Sequence, residues 1–150
     1  MARMLTVPIT QLDSELPVPS YARTDDAGAD LYAREGAVLR AGGGRALVPT
    51  GLVVAIPAGW AGFVHPRSGL ALRHGVSCLN TPGTIDAGYR GELSVLLVNT
   101  DAALDYEVTR GDRIAQLVIQ PVEHASFVPL PLEELPAAER GVGGFGHSGR

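Results

Sequence analysis

Asp86 is the residue best suited to move a proton. It lies in residues 80–93 (NTPGTIDAGYRGEL), beside apolar Ile85 and within glycine-bounded backbone, which makes it a candidate general base. Three residues on, Tyr89 has a ring that could pack against a sugar and exclude an extra hydroxyl by bulk. Turn residues on both sides predict a β-hairpin over 80–93, with backbone groups free to read the edge of a flat ligand. Residues 66–71 (PRSGLA) follow an apolar strand; Arg67, the Ser68 hydroxyl and backbone N–H groups near Gly69 form a plausible anion cradle. The triplet R-S-G alone is common and weak. Asp30, in residues 26–33 (DAGADLYA), is either a turn aspartate capping its own backbone or a site residue. Gln116 interrupts the apolar run of residues 110–119 (RGDRIAQLVI) and needs a partner, in the core or on a ligand.

The last eleven residues, 140–150 (RGVGGFGHSGR), contain five glycines, so they hold no helix or strand by propensity. Arg140 offers a forked phosphate clamp, Phe145 a flat face for a base, and glycine backbone a close approach to an anion. Such a segment reads either as a frayed end or as an arm that closes over a nucleotide phosphate.

These residues must be held by strands. Runs at 46–56 (ALVPTGLVVAI), 60–65, 92–99 (ELSVLLVN), 104–108 and 113–122 (RIAQLVIQPV) are rich in β-branched and aliphatic residues and punctuated by turn formers. Eleven prolines and 19 glycines leave little room for long helices, and only 68–73 and 132–135 read as a helical turn or two. The chain therefore reads as all-β: a sandwich, jelly roll or barrel. At 150 residues and 45% hydrophobic it reads as one domain with a real core. No apolar run is long enough to cross a bilayer, and the opening MARMLTVPIT has no signal-peptide core. One cysteine, Cys78, excludes an intrachain disulfide, fits a reducing compartment, and reads as a small core residue rather than a nucleophile. A net charge of −4 argues against binding a nucleic-acid polymer, while all 12 basic residues are arginine, each suited to bidentate phosphate contact.

In order and spacing, DAGADLYA, PRSGLA, GTIDAGYRGEL, RGDRIAQLVI and RGVGGFGHSGR resemble the five motifs of the trimeric dUTPase family, from about Pro17 to the last residue. The resemblance implies a jelly-roll-like β-barrel in residues 1–136, with residues 137–150 as a glycine-rich arm of the same domain. It implies a homotrimer with exchanged arms and active sites shared between subunits, located in the cytoplasm. It further implies hydrolysis of dUTP to dUMP and pyrophosphate by Mg²⁺-assisted in-line water attack on the α-phosphorus. That activity limits uracil incorporation into DNA and supplies dUMP for dTMP synthesis. Carried over by residue, Asp86 is the base and Tyr89 stacks under the deoxyribose. Asn80, Gly83, Thr84 and Ile85 meet the uracil edge. Arg67, Ser68, Gly69 and Gln116 hold the phosphates, and Arg140 reaches the γ-phosphate. Phe145 covers the base, and Gly146 and Ser148 belong to the closing arm; His147 and Ser148 stand where the family often has Ser-Thr. Asp30 acts near metal and water through indirect contacts. No side chain is expected to bind Mg²⁺ directly, because the phosphates hold it.

A related deaminase of dCTP shares this fold but needs a glutamate on the strand after the 80–93 segment. Leu96 occupies the aligned position here, and an apolar side chain shuttles no proton. A non-catalytic trimeric β-barrel that binds a nucleotide or a protein is the alternative of a different class; intact Asp86 and the arm weigh against it. His65, His74, His124 and Trp60 read as structural.

Overall fold

Burial along Ser94–Asn99 alternates strictly: Val95, Leu97 and Asn99 point inward, and Ser94, Leu96 and Val98 are half-buried on the other face. That period of two is what a strand with one core face requires. The computed structural model describes residues 4–144, and within them such strands dominate. In chain order they are β1 (Ile9–Gln11), β2 (Ala29–Tyr32), β3 (Ala37–Leu39), β4 (Arg45–Pro49), β5 (Leu52–Val54), β6 (Trp60–His65), β7 (Val76–Cys78), β8 (Gly83–Ile85), β9 (Ser94–Asn99), β10 (Tyr106–Val108) and β11 (Arg113–Pro121). One helix, α1 (Ser68–His74), follows β6, and a 3-10 turn spans Leu132–Glu134.

Every pairing among the described residues is antiparallel. A four-stranded sheet runs β2-β11-β6-β8, a three-stranded sheet β4-β9-β7, and two ribbons pair β1 with β5 and β3 with β10. Their inner faces share one core that includes Leu31, Leu39, Val54, Ile56, Leu97 and Ile114, none more than 2% exposed. Burying each such side chain contributes about 1.5–3 kcal/mol. Asn99, fully buried, is the one polar member of β9's inner face. Its Nδ2 donates to the carbonyls of Leu39 (3.0 Å) and Leu104 (2.8 Å), and its Oδ1 accepts from Asp101 N, so no polar atom is orphaned. Cys78 is also buried, and burial pushes its thiol up to about 11, as a core residue rather than a nucleophile would have it. Trp60 is half-buried and packs on the core edge.

Three expectations need correction. The run 46–56 is two strands, because Gly51 takes the left-handed conformation (φ 71°) and redirects the chain from a pairing with β9 to one with β1. The strand expected from residue 104 starts at Tyr106, since the Asp101 carboxylate ties the amides of Ala103 and Leu104 into a turn. Residues 80–93 are not a hairpin. They leave the three-stranded sheet after β7, add β8 to β6 in the other sheet, and return as β9 beside β7. The helical expectations hold, with α1 one residue longer than 68–73 and ending at Gly75 (φ 64°).

Candidate active site

Strand pairing brings residues far apart in sequence to one spot. Gln116 on β11 is flanked by Asp30 on β2 and His65 on β6, so the first and fourth motifs lie side by side. Gln116 Nε2 donates to Asp30 Oδ1 (3.3 Å), and Arg113 Nη1 donates to Asp30 Oδ2 (3.4 Å). Arg67, leaving the end of β6 as the cap of α1, brings its Nε to 3.9 Å from Asp30 Oδ1 and donates Nη1 to the Arg113 carbonyl (3.0 Å). Asp30 is buried, and a buried carboxylate needs such partners. It stands beneath the two arginines as an organiser. The arginines, half-buried and exposed, line a concavity of about 410 Å³ with Tyr32, Leu70, Tyr106 and Asp112. Burial raises the Tyr106 hydroxyl pKa and Asp112 adds to the rise, while Arg67 and Arg73 oppose it. Ser68 and Gly69 open α1, whose first turn holds no acidic side chain and receives no side-chain cap.

Two residues of this cluster escape the sequence reading. Arg113 lies within RGDRIAQLVI, where no role is read for it, and the β11–β2 pairing delivers it to Asp30. Gly28 was legible in principle from its place in DAGAD. A Cβ there would sit 2.9 Å from the Gln116 Cβ, so glycine is what lets the glutamine lie against β2.

The second cluster belongs to the excursion after β7. Thr84, Ile85, Asp86 and Tyr89 line a concavity of about 310 Å³ with Leu47 and Glu92. Asp86 and Tyr89 are exposed, and the Tyr89 amide donates to the Asp86 carbonyl (3.1 Å), a turn that aims both side chains into the same space. At the other end of β8, Asn80 and Gly83 are neighbours: a Cβ on Gly83 would lie 3.3 Å from Asn80 Nδ2. A carboxylate and an aromatic face sharing one concavity can activate water beside a flat, partly apolar ligand.

The two clusters do not meet within one chain. Ile85 pairs with Gly62, whereas Arg67 lies beyond His65 at the far end of β6. Those strand positions are already on the order of 10 Å apart at about 3.3 Å per residue. The two concavities share no lining residue. Arg140 is exposed and donates Nε to the Gly143 carbonyl (2.7 Å). Phe145, Gly146, His147 and Ser148 lie outside the described residues.

Among the described residues no three His, Cys, Asp or Glu side chains converge as a metal-binding group, and no helix is long and apolar enough to cross a membrane. Leu96 lies half-buried on β9.

A family model described as dUTPase matches residues 14–149. The deoxyuridine 5'-triphosphate nucleotidohydrolase of Thermobifida fusca is 58% identical over 143 residues, covering 95% of this chain and 78% of that protein. The protein of that name from Corynebacterium glutamicum is 51% identical over 150 residues, covering 100% and 99%. Among solved structures, the dUTPase of Staphylococcus bacteriophage 80alpha with dUPNHPP superposes with a TM-score of 0.85 at 28% identity, covering 98% of this chain and 100% of that one. A mutant dUTPase from phage phi11 of S. aureus, described with a structural Mg(II) ion, gives 0.77 at 25% identity, covering 89% and 100%.

Proposed function

The chain belongs to the dUTPase family, and from that premise we propose that it hydrolyses dUTP to dUMP and pyrophosphate. The observation that carries this reading is the Asp86–Tyr89 turn, which presents a carboxylate and an aromatic ring to one concavity. Asp86 takes a proton from water as the water oxygen bonds to the α-phosphorus. The bond from that phosphorus to the bridging oxygen breaks, and the electron pair leaves with pyrophosphate. Tyr89 lies under the deoxyribose and refuses a 2′-hydroxyl. The backbone around Asn80, Gly83, Thr84 and Ile85 meets the uracil edge. Catalysis here is positioning plus neutralisation of developing charge.

Arg67, Ser68, Gly69 and Gln116 hold the phosphates, and the Asp30 cluster supports that role. Pinned by Asp30, the arginine and glutamine have little rotamer freedom left to lose on binding. Mg²⁺ would enter on the triphosphate and supply charge neutralisation there. The donor set fits that arrangement, since Asp30 is already engaged by Arg113 and Gln116 and is suited to meet the ion only through water. Arg140 reaches the γ-phosphate, and Phe145, Gly146 and Ser148 close over the base and phosphates.

The reading includes a jelly-roll-like barrel over residues 1–136, an exchanged arm over 137–150 and a homotrimer. Separation of the two clusters along β6 favours it, because a base and a phosphate cradle that lie in separate concavities of one chain can be joined between copies. The segment after β11 adds support: Phe127 is 93% exposed and Leu132 83%, and an apolar groove lined by Val7, Ile9, Val18, Tyr21 and Ile119 lies open. A cytoplasmic setting fits the buried free thiol. There the reaction would limit uracil in DNA and supply dUMP for dTMP synthesis. Pyrophosphate release measured side by side with dUTP, dTTP, dCTP and UTP tests the proposal. Turnover of dUTP alone is expected, and its absence overturns the reading.

A further inference from the structure

Outside the phosphate cluster, a polar network runs from residue 92 through Arg34 to Asp13 and Arg110. Its inner end touches Tyr89. The Tyr89 hydroxyl donates to the Glu92 carbonyl (3.0 Å). The hydroxyl end of the ring sits against Gly91: a Cβ there would fall 2.6 Å from Tyr89 Cζ and 3.0 Å from Cε2, and closer still to the hydroxyl. Residues 91 and 92 are therefore the seat of the ring, and any side chain on residue 91 unseats it.

The seat is itself fixed. Glu92 Oε1 accepts from the Gly51 amide (2.8 Å) and from Arg34 Nη1 (3.2 Å), with its side chain only 26% exposed. The next residue is locked on both sides: the Leu93 amide donates to Leu52 O (2.7 Å), and its carbonyl accepts the Thr50 hydroxyl (2.7 Å) and amide (3.0 Å). Arg34 is braced in turn by Asp13 and by Arg110, which donates to the Arg34 carbonyl (3.1 Å) and ion-pairs with Asp13. Four chain segments thus converge on the support of one aromatic ring.

We infer that Gly91 and Glu92 are positioning residues that set the preference for deoxyribose over ribose by seating the Tyr89 ring through its hydroxyl. The inference rests on the reading of Tyr89 as the sugar platform. A steric wall rejects an added hydroxyl only as far as it refuses to move. An untied ring would swing aside at the cost of one side-chain rotation, whereas this one must also break its hydroxyl bond to the Glu92 carbonyl.

The test is kcat/KM for dUTP and for UTP in wild type, Gly91→Ala, Glu92→Ala, Glu92→Gln, Tyr89→Ala and the double variant Tyr89→Ala/Gly91→Ala, with melting temperature followed in parallel. Gly91→Ala and Glu92→Ala are expected to shrink the dUTP-to-UTP ratio about tenfold or more, within the range a single added hydroxyl commands. Glu92→Gln keeps an acceptor for the Gly51 amide and is expected to lie nearer wild type. In the Tyr89→Ala background, Gly91→Ala is expected to change the ratio no further, since the ring it acts through is gone. A ratio that stays at the wild-type value in both Gly91→Ala and Glu92→Ala while Tyr89→Ala collapses it overturns the inference. So does an equal loss for both substrates, which marks a purely structural role. If Tyr89→Ala itself leaves the ratio intact, the sugar-platform reading has failed and the inference falls with it. Should Gly91→Ala not fold, the Glu92 pair decides.

Discussion

Asp86 owes its suitability to exposure and to the turn that aims it, and it makes no partner-rich network like that of Asp30. Replacing it by asparagine keeps shape and most binding contacts while removing the proton acceptor. Asp86→Asn is expected to bind a dUTP analogue with near-normal affinity and to lose about 10³-fold or more in kcat. Titration calorimetry and pyrophosphate release read the two quantities separately, and undiminished turnover would dismiss Asp86 as the base. Gly28 makes a different kind of prediction. A methyl group there meets the Gln116 Cβ at 2.9 Å and its amide at 3.2–3.3 Å, so the chain before β2 must part from β11 or Gln116 must turn away. Gly28→Ala is expected to lower stability by about 1–3 kcal/mol and to raise KM for dUTP, measured by denaturant melts and initial rates. Much at this scale was legible in the sequence: Asp86, Tyr89, Arg67 and Gln116 stand out as polar residues that no strand pattern requires. Arg113 was not, because its value depends on a pairing partner 83 positions away.

At the scale of elements, the expected all-β character and both helical turns hold, because β-branched runs and glycine punctuation act locally. The expected hairpin at 80–93 fails for a non-local reason: Val64 and Gly62 on β6 offer β8 a partner that the local sequence does not reveal. Turn chemistry explains the other two corrections, at Gly51 and at Asp101. Residues 140–144, the described part of the segment from Arg140 onward, are largely exposed and none belongs to the core. Deleting residues 140–150 is therefore expected to leave the melting temperature within a few degrees of wild type. Turnover is expected to drop by several orders of magnitude if, as proposed, the arm contacts a bound triphosphate. Near-normal turnover by the truncated protein would refute that role.

For the whole molecule, the proposal of a site shared between copies makes activity a property of the assembly. Asp86→Asn and Arg67→Gln are each expected to be nearly inactive alone. Refolded together in equal amounts, they are expected to recover activity at about one site in four if each site draws the two groups from different copies, as proposed. Steady-state assay of the mixture checks this, and no recovery would place both groups in one subunit's site. Acid stability follows from the surface network. Asp13, held by Arg110, Asp101, held by the Ala103 and Leu104 amides, and Asp105, held by the Ala41 amide and Arg40, all have pKa values below the usual 3.8. A depressed carboxylate stabilises the fold above its unfolded value and loses that contribution as pH falls through the native value. The melting temperature is thus expected to decline below about pH 4 on their account, and Asp13→Asn to differ from wild type at neutral pH but converge with it in stronger acid.

Cys78 gives this architecture an internal reporter. With a single sulfhydryl, sealed among β7, β9 and their neighbours, an alkylating reagent can label the chain only when the interior breathes open. Labelling kinetics would then time such openings, and would separate a chain that has merely loosened at its surface from one that has melted.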